Sequence, residues 1–226
     1  MMRMPLRGLL LTLLLAVSPA AMASPEAQPD AVFTRALERL SATVGFSCHF
    51  RQEVNFAEGG KKVYTGTLAV RRPGLFRWQY LTPYEQLYVS EGDVIWHYEA
   101  DLMQAEKMKS LDAVDPAAMK LLDGRVGVKD IQLLATDKDK GGNISYRVRI
   151  GDGPELSLAF TSDGNLYWLE SEDMLANRNR MILLDVDRML PEEKLFHFVP
   201  PEGVDVVDLS GSGIVIPLHQ TNLDGE

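Results

Sequence analysis

Between Gly66 and Gln104 short runs of β-forming residues are cut by Arg72-Pro73-Gly74, Thr82-Pro83 and Glu91-Gly92. Such spacing is the mark of short antiparallel strands joined tightly. Phe76, Trp78 and Tyr80 recur at period two, and so do Val94, Trp96 and Tyr98. Successive side chains on a strand point to opposite faces, so each trio shares one face. Two aromatic ladders on neighbouring strands make either a bulky core or the wall of an apolar pocket. Arg72, beside a proline, stands at one end of the first ladder.

The rest of the chain follows the same period. Phe46, Cys48 and Phe50 alternate with Ser47, His49 and Arg51, and Val54 and Phe56 keep the phase. That predicts a strand with one buried face. Strands are also predicted over 63–71, around Tyr146-Val148-Ile150 and Leu156-Leu158-Phe160, over 166–172 and 181–188, and over 204–209. In the 181–188 strand Ile182, Leu184 and Val186 share a face opposite Asp185 and Asp187. Asp163-Gly164 reads as a hairpin turn.

Two segments are helical. Asp30 can cap a helix carrying Val32, Phe33, Ala36, Leu37, Leu40 and Val44, and Gly45 is read as its stop. The second helix, Asp115 to Leu122, opens with a capping Asp and a first-turn Pro. It is too short to stand without a surface beneath it. Met119, Leu121 and Leu122 make it a candidate lid. Roughly ten or eleven strands with one wet face each predict an antiparallel sheet curled into an incomplete barrel. The fold class expected is mainly β with an α lid, the helices covering the concave apolar face.

Arg3 and Arg7 precede the apolar run Leu9 to Val17, and Ala21-Met22-Ala23 has the form of a cleavage site. Residues 1–23 are read as a cleaved signal peptide, with an uncleaved anchor as the alternative. Residues 24–30 are read as a flexible leader, 31–209 as one domain, and 210–226 as a tail that adds a strand or stays loose. Without Arg3 and Arg7, 23 basic residues become 21 against 32 acidic ones, and the net charge moves from −9 to −11. An acidic surface repels phosphate backbones and anionic headgroups, which argues against nucleic acid and against charge-driven membrane binding. Cys48 is the single cysteine, so no internal disulfide is available. Its phase on the strand makes it a small buried hydrophobe, with a reactive thiol as the alternative.

No catalytic constellation is visible. His49, His97, His197 and His219 lack the spacing of a metal site. Cys48 and His49 are neighbours on a strand and face opposite ways, so they cannot pair as nucleophile and base. His97 is out of phase with Trp96, which places it in solvent. There is no glycine-rich phosphate loop, and no cofactor or metal is expected.

The run Arg72-Pro73-Gly74-Leu75-Phe76-Arg77-Trp78, preceded by Gly66, Leu68 and Val70, resembles the signature of the periplasmic lipoprotein carrier family, LolA. Pro83, Val89, Ser90, Gly92, Trp96, Tyr98 and Gln104 match a second family pattern with its spacing kept. Phe46-x-Cys48-x-Phe50-x-Gln52 is similar to the family's first strand, and Phe196-x-Phe198-x-Pro200-Pro201-x-Gly203-Val204 to its C-terminal end. Cys48 and the tail from Ser210 depart from the pattern.

The resemblance implies an open antiparallel barrel of about eleven strands under a helical lid. It implies a periplasmic carrier that takes lipoproteins from an inner-membrane ABC transporter of the LolCDE kind. Delivery would be to an outer-membrane receptor of the LolB kind. It implies that Arg72 bonds lid carbonyls and holds the empty carrier closed, and that Phe76 matters for transfer. On this reading Phe46, Phe50, Phe76, Trp78, Tyr80, Trp96 and Tyr98 line the cavity for acyl chains, and a monomer is expected. The alternatives are a sensor of lipids or lipoproteins, or a carrier of another lipid, on the same fold. Sequencing the N-terminus of the exported protein should give Ser24, and an intact Met1 would overturn the signal-peptide reading.

Overall fold

The computed structural model describes residues 29–109, 119, 121–122 and 128–210. Helix α1, Ala31–Ala42, begins where the Asp30 carboxylate accepts hydrogen bonds from the Val32 and Phe33 backbone N–H at 2.9 and 2.8 Å. These bonds satisfy two N–H groups that the helix leaves without partners. The helix ends at Ala42, with Thr43 as its cap. Gly45 is not the stop expected from the sequence. It opens the first strand, where a Cβ would lie 2.7 Å from the Val70 carbonyl oxygen and from Leu190.

Twelve strands follow: β1 Gly45–Asn55, β2 Lys61–Arg71, β3 Leu75–Thr82, β4 Gln86–Glu91, β5 Ile95–Glu99, β6 Gln104–Met108, β7 Ile131–Lys138, β8 Ile144–Ile150, β9 Glu155–Phe160, β10 Leu166–Glu172, β11 Arg178–Asp187 and β12 Asp205–Asp208. They form one sheet in the order β12-β6-β5-β4-β3-β2-β1-β11-β10-β9-β8-β7. β12 and β7 are its edges, so the curved sheet stays open rather than closing into a barrel. Every pairing is antiparallel except β12 with β6, which is parallel and departs from the all-antiparallel expectation. The chain after β11 crosses the outer face to reach β6, so β12 arrives running the same way. Of the second predicted helix only Met119, Leu121 and Leu122 are described, and these are helical; the rest, like residues 1–28 and the tail from 211, lies outside the described residues.

Three cross-strand rows build the inner wall. Phe46, Val70, Phe76, Ser90, Ile95 and Met108 form one. Cys48, Leu68, Trp78, Tyr88, His97 and Glu106 form the next. Leu183, Phe50, Gly66, Tyr80, Gln86, Glu99 and Gln104 form the third. The wall is therefore apolar over β1–β3 and turns polar toward β5 and β6.

Gly66 is required by its place in the third row. The Phe50 ring lies over it, and a Cβ there would meet the Gln79 carbonyl oxygen at 2.0 Å and Phe50 ring carbons at 2.6 Å. Seated over this gap, Phe50 meets Tyr80 and Trp78 edge-on, with centroids 5.2 and 5.7 Å apart. Such contacts add about 0.5–1.5 kcal/mol each beyond burial.

On β11 the core contacts come from Met181 and Leu183, not from Ile182 and Leu184, which face outward. The pairing with β1 slips between Ser47 and His49, opposite Asp185 at φ 52°. A bulge of this kind shifts the phase of a strand, and it brings Val186, still 39% exposed, to the edge of a surface pocket. α1 lies over the β8–β9 side, where Phe33 packs on Tyr146 at 4.9 Å and the Tyr146 hydroxyl donates to Asp30 at 2.9 Å.

Gly66→Ala should destabilise the protein by about 1–3 kcal/mol, since the new methyl group has nowhere to go. A lower denaturant midpoint at unchanged slope would report it. Burial pushes the Cys48 thiol up to about 12, so at pH 8 only about one thiol in ten thousand is ionised. Thiol reagents should label the native protein far more slowly than the denatured one. Equal rates would place Cys48 outside the core.

Candidate functional site

The inner wall, α1 and the second helix meet at Arg72, in the turn between β2 and β3. Its Nε donates to the Leu122 carbonyl oxygen at 2.8 Å and its Nη2 to that of Leu121 at 3.0 Å. Its Nη1 donates to the carbonyl oxygens of Thr43, at 3.2 Å, and Leu40. Leu40 and Thr43 stand at the end of α1, where the Leu40 carbonyl also accepts from the Thr43 backbone N–H at 3.4 Å. A planar guanidinium with five N–H donors can serve several at once, which an ammonium on a flexible stem does less well. Sequence reading anticipated the carbonyls of the second helix but not those of α1.

Met119, Leu121 and Leu122 are 0%, 3% and 1% exposed and join the same apolar cluster as Phe46, Phe50, Phe76, Trp78 and Tyr80. A mostly apolar pocket opens beside Arg72 and Leu122, with Leu40, Phe46, Phe160, Leu183 and Val186 among its lining. It offers about 50 Å³, room for a few waters at most. A ligand pocket usually needs roughly 300–1,000 Å³.

Of the expected lining residues only Phe46 borders this pocket; Phe50, Phe76, Trp78 and Tyr80 lie buried in the core, and Trp96 and Tyr98 lie on the other face of the sheet. Trp96 and Tyr98 pair with Val89 and Leu87, and that row faces outward. They pack on Phe198, with ring centroids 5.7 and 5.6 Å away. β5 alternates as the sequence predicts but in the opposite phase, because β4 and β5 are covered on both faces. The segment after β11 supplies the outer cover. Phe196 is buried there, and the Phe198 backbone N–H donates to Glu91 at 2.8 Å. His197 approaches the same carboxylate at 2.9 Å.

His97 is consequently not in solvent. It is 4% exposed on the inner wall, stacked on Tyr88 at 4.2 Å between centroids. Its ring nitrogens lie 3.3 Å from Glu106 and 3.4 Å from Glu99. Burial raises the Glu99 carboxyl above the usual range; the neighbouring His97 opposes the shift, while Glu106 adds to it. The Tyr88 hydroxyl is raised as well, by burial first and by Glu99 and Glu106 after it. Only the residue types hinted at this group, since its inward direction is set by strand register. Among the described residues no three His, Cys, Asp or Glu side chains are placed to hold a metal ion.

Residues 41–199 match the family model described as outer membrane lipoprotein carrier protein LolA. An outer-membrane lipoprotein carrier protein of Neisseria meningitidis serogroup B is 31% identical over 202 residues, covering 85% of this chain and 94% of that one. A protein of the same name from Hahella chejuensis is 30% identical, covering 86% of this chain and 97% of that one. Among solved structures, a LolA superfamily protein from Nitrosomonas europaea superposes with a TM-score of 0.42 at 11% identity, covering 73% of this chain and 97% of that one. With the family pattern matched over most of the described sheet, the chain belongs to the outer-membrane lipoprotein carrier protein family, LolA.

Proposed function

We propose that this protein is a periplasmic carrier, and not an enzyme, that shields the acyl chains of lipoproteins against its inner wall. It would accept them from an inner-membrane ABC transporter and hand them to an outer-membrane receptor, working as a monomer. The observation that carries this reading is the Arg72 guanidinium, which ties two helical segments over a wall of buried aromatic side chains.

The energetics suit the task. An acyl chain of ~16 carbons in water costs on the order of 12 kcal/mol at about 0.8 kcal/mol per methylene. Phe46, Phe50, Phe76, Trp78 and Tyr80 supply the apolar lining. Met119, Leu121 and Leu122 occupy that face in the closed state. Cargo enters by displacing them and breaking the Arg72 bonds to Leu121 and Leu122. Each charged hydrogen bond contributes about 1.5–3 kcal/mol to closure. Loading is then nearly balanced, and release is helped as closure restores the bonds.

Arg72→Leu should therefore load cargo but pass it to a purified acceptor at least about tenfold more slowly, which corresponds to ~1.4 kcal/mol. Arg71→Leu is the control. Arg71 points outward, donates to the Pro191 carbonyl oxygen at 3.0 Å and touches neither helix carbonyl. If the Arg72 variant hands cargo on as fast as wild type, the latch is wrong.

A further inference from the structure

Four of the described hairpin turns share one build. They are β1–β2 (56–60), β7–β8 (139–143), β9–β10 (161–165) and β10–β11 (173–177). In each, the first residue's N–H donates to the fifth residue's carbonyl oxygen, and the fourth residue's N–H to the first residue's carbonyl oxygen. The fourth residue has positive φ every time: Gly59, Gly142, Gly164 and Ala176. Glycine takes such a φ without steric cost. Three of the turns use it there and hold Ala57-Glu58, Lys140-Gly141 and Ser162-Asp163 at their second and third positions. The β10–β11 turn departs at all three positions, with Met174, Leu175 and Ala176.

Met174 is fully exposed and Leu175 is 76% exposed, more than any other large apolar side chain among the described residues. The turn beneath them is firmly tied. The Asp173 carboxylate accepts from the N–H of Leu175 and Asn177 at 2.8 and 2.9 Å, and from the Asn177 side-chain amide at 2.8 Å. The Asn177 side-chain oxygen accepts from the Ala57 N–H at 3.0 Å, which fixes the tip to the β1–β2 turn. The same bonds join Asp139 to Gly141 and Asn143 in the β7–β8 turn, so neither Met174 nor Leu175 is needed to make this structure.

We propose that this tip is a membrane-contact site, at which Met174 and Leu175 enter the interfacial region of a lipid bilayer. Four of the turn's five backbone N–H groups have acceptors within it, so the hairpin takes few bare donors into the lipid. Charge does not oppose the approach. Residues 51–62 hold two acidic and three basic side chains, and residues 170–180 hold three acidic and two basic ones, so this corner is neutral in a chain of net charge −9. Behind the tip Glu172 pairs with Arg178 and Glu170 with Arg180. A stable protein partner would need about 800 Å² of surface here. Two side chains ringed by paired charges do not supply it. A fluid bilayer takes them without a matching shape, as a reversible contact and not an anchor. The inference rests on the carrier reading for its purpose, which is to bring a loaded carrier against the membrane that receives cargo. The contact itself needs neither cargo nor any movement of the second helix.

The test uses the cargo-free exported protein and vesicles of phosphatidylcholine and phosphatidylethanolamine. Cys48 is buried, so Met174→Cys and Lys140→Cys can each be labelled singly with a polarity-sensitive fluorophore. On vesicles the label at 174 should shift to the blue and be quenched by nitroxide-bearing lipid. The label at 140, at the same position of the β7–β8 turn, should do neither. In unlabelled protein, Met174→Lys with Leu175→Gly installs the pair that the β7–β8 turn carries. It should lower vesicle affinity at least about tenfold, with the unfolding midpoint unchanged. Adding phosphatidylglycerol should weaken wild-type binding at low salt, since the chain as a whole is acidic. A label at 174 that keeps its aqueous emission overturns the site, and so does a double variant that binds as tightly as wild type. A label that ignores vesicles and responds to the purified acceptor assigns the tip to a protein partner and overturns it too. None of these outcomes touches the carrier reading, which is decided by the Arg72 transfer assay.

Discussion

One guanidinium joins two helical segments over the inner wall. Arg72 stands in the turn between β2 and β3, at the rim of the sheet, and its donors reach carbonyls of α1's C-terminal end and of the second helix. Those segments are far apart in sequence, and no strand pairing joins them. The cation therefore joins carbonyls of two helical segments at once. An apolar side chain at this position would remove these four bonds. A lysine would offer a point charge instead of a fork.

The wall beneath depends on a different constraint, the absence of a side chain at Gly66. Phe50 fills the place that a Cβ would take and meets Tyr80 and Trp78 edge-on. The aromatic surface is rigid for this reason. It cannot widen to admit a ligand, because interiors packed at this density do not deform gradually. Room must come from the elements laid upon the wall.

Much of this was legible in the chain. Alternation around Phe46, Phe76, Tyr146 and Leu156 located strands and their buried faces, because a one-sided sheet writes its register into period two. The Asp30 cap was legible because capping chemistry is local. The phase of β5 was not. Trp96 and Tyr98 are as apolar as the side chains of the inner wall, and only the return of the chain after β11 explains why they face Phe198 instead. His97, Glu99 and Glu106 were unreadable for the same cause, since a buried polar residue at the edge of a wall has the spacing of a solvated one. The bulge at Asp185 hid the true core residues of β11. The parallel pairing of β12 has no local signal, for it depends on where a long crossing segment ends.

The wall's rigidity decides how a carrier of this kind could work. Met119, Leu121 and Leu122 bury their side chains almost completely against the aromatic rows. Each such burial contributes about 1.5–3 kcal/mol, so the three together come to roughly 5–9 kcal/mol. An acyl chain of ~16 carbons brings on the order of 12 kcal/mol to the same surface. The chain alone would then out-compete the lid and remain bound. The bonds from Arg72 to Leu121 and Leu122, at about 1.5–3 kcal/mol each, bring the closed state level with the loaded one. On the proposed reading the lid is a built-in substitute for cargo, and the arginine supplies the part of the balance that three side chains cannot. A stronger lid would refuse cargo and a weaker one would keep it, so transfer is fastest where the two states are nearly equal.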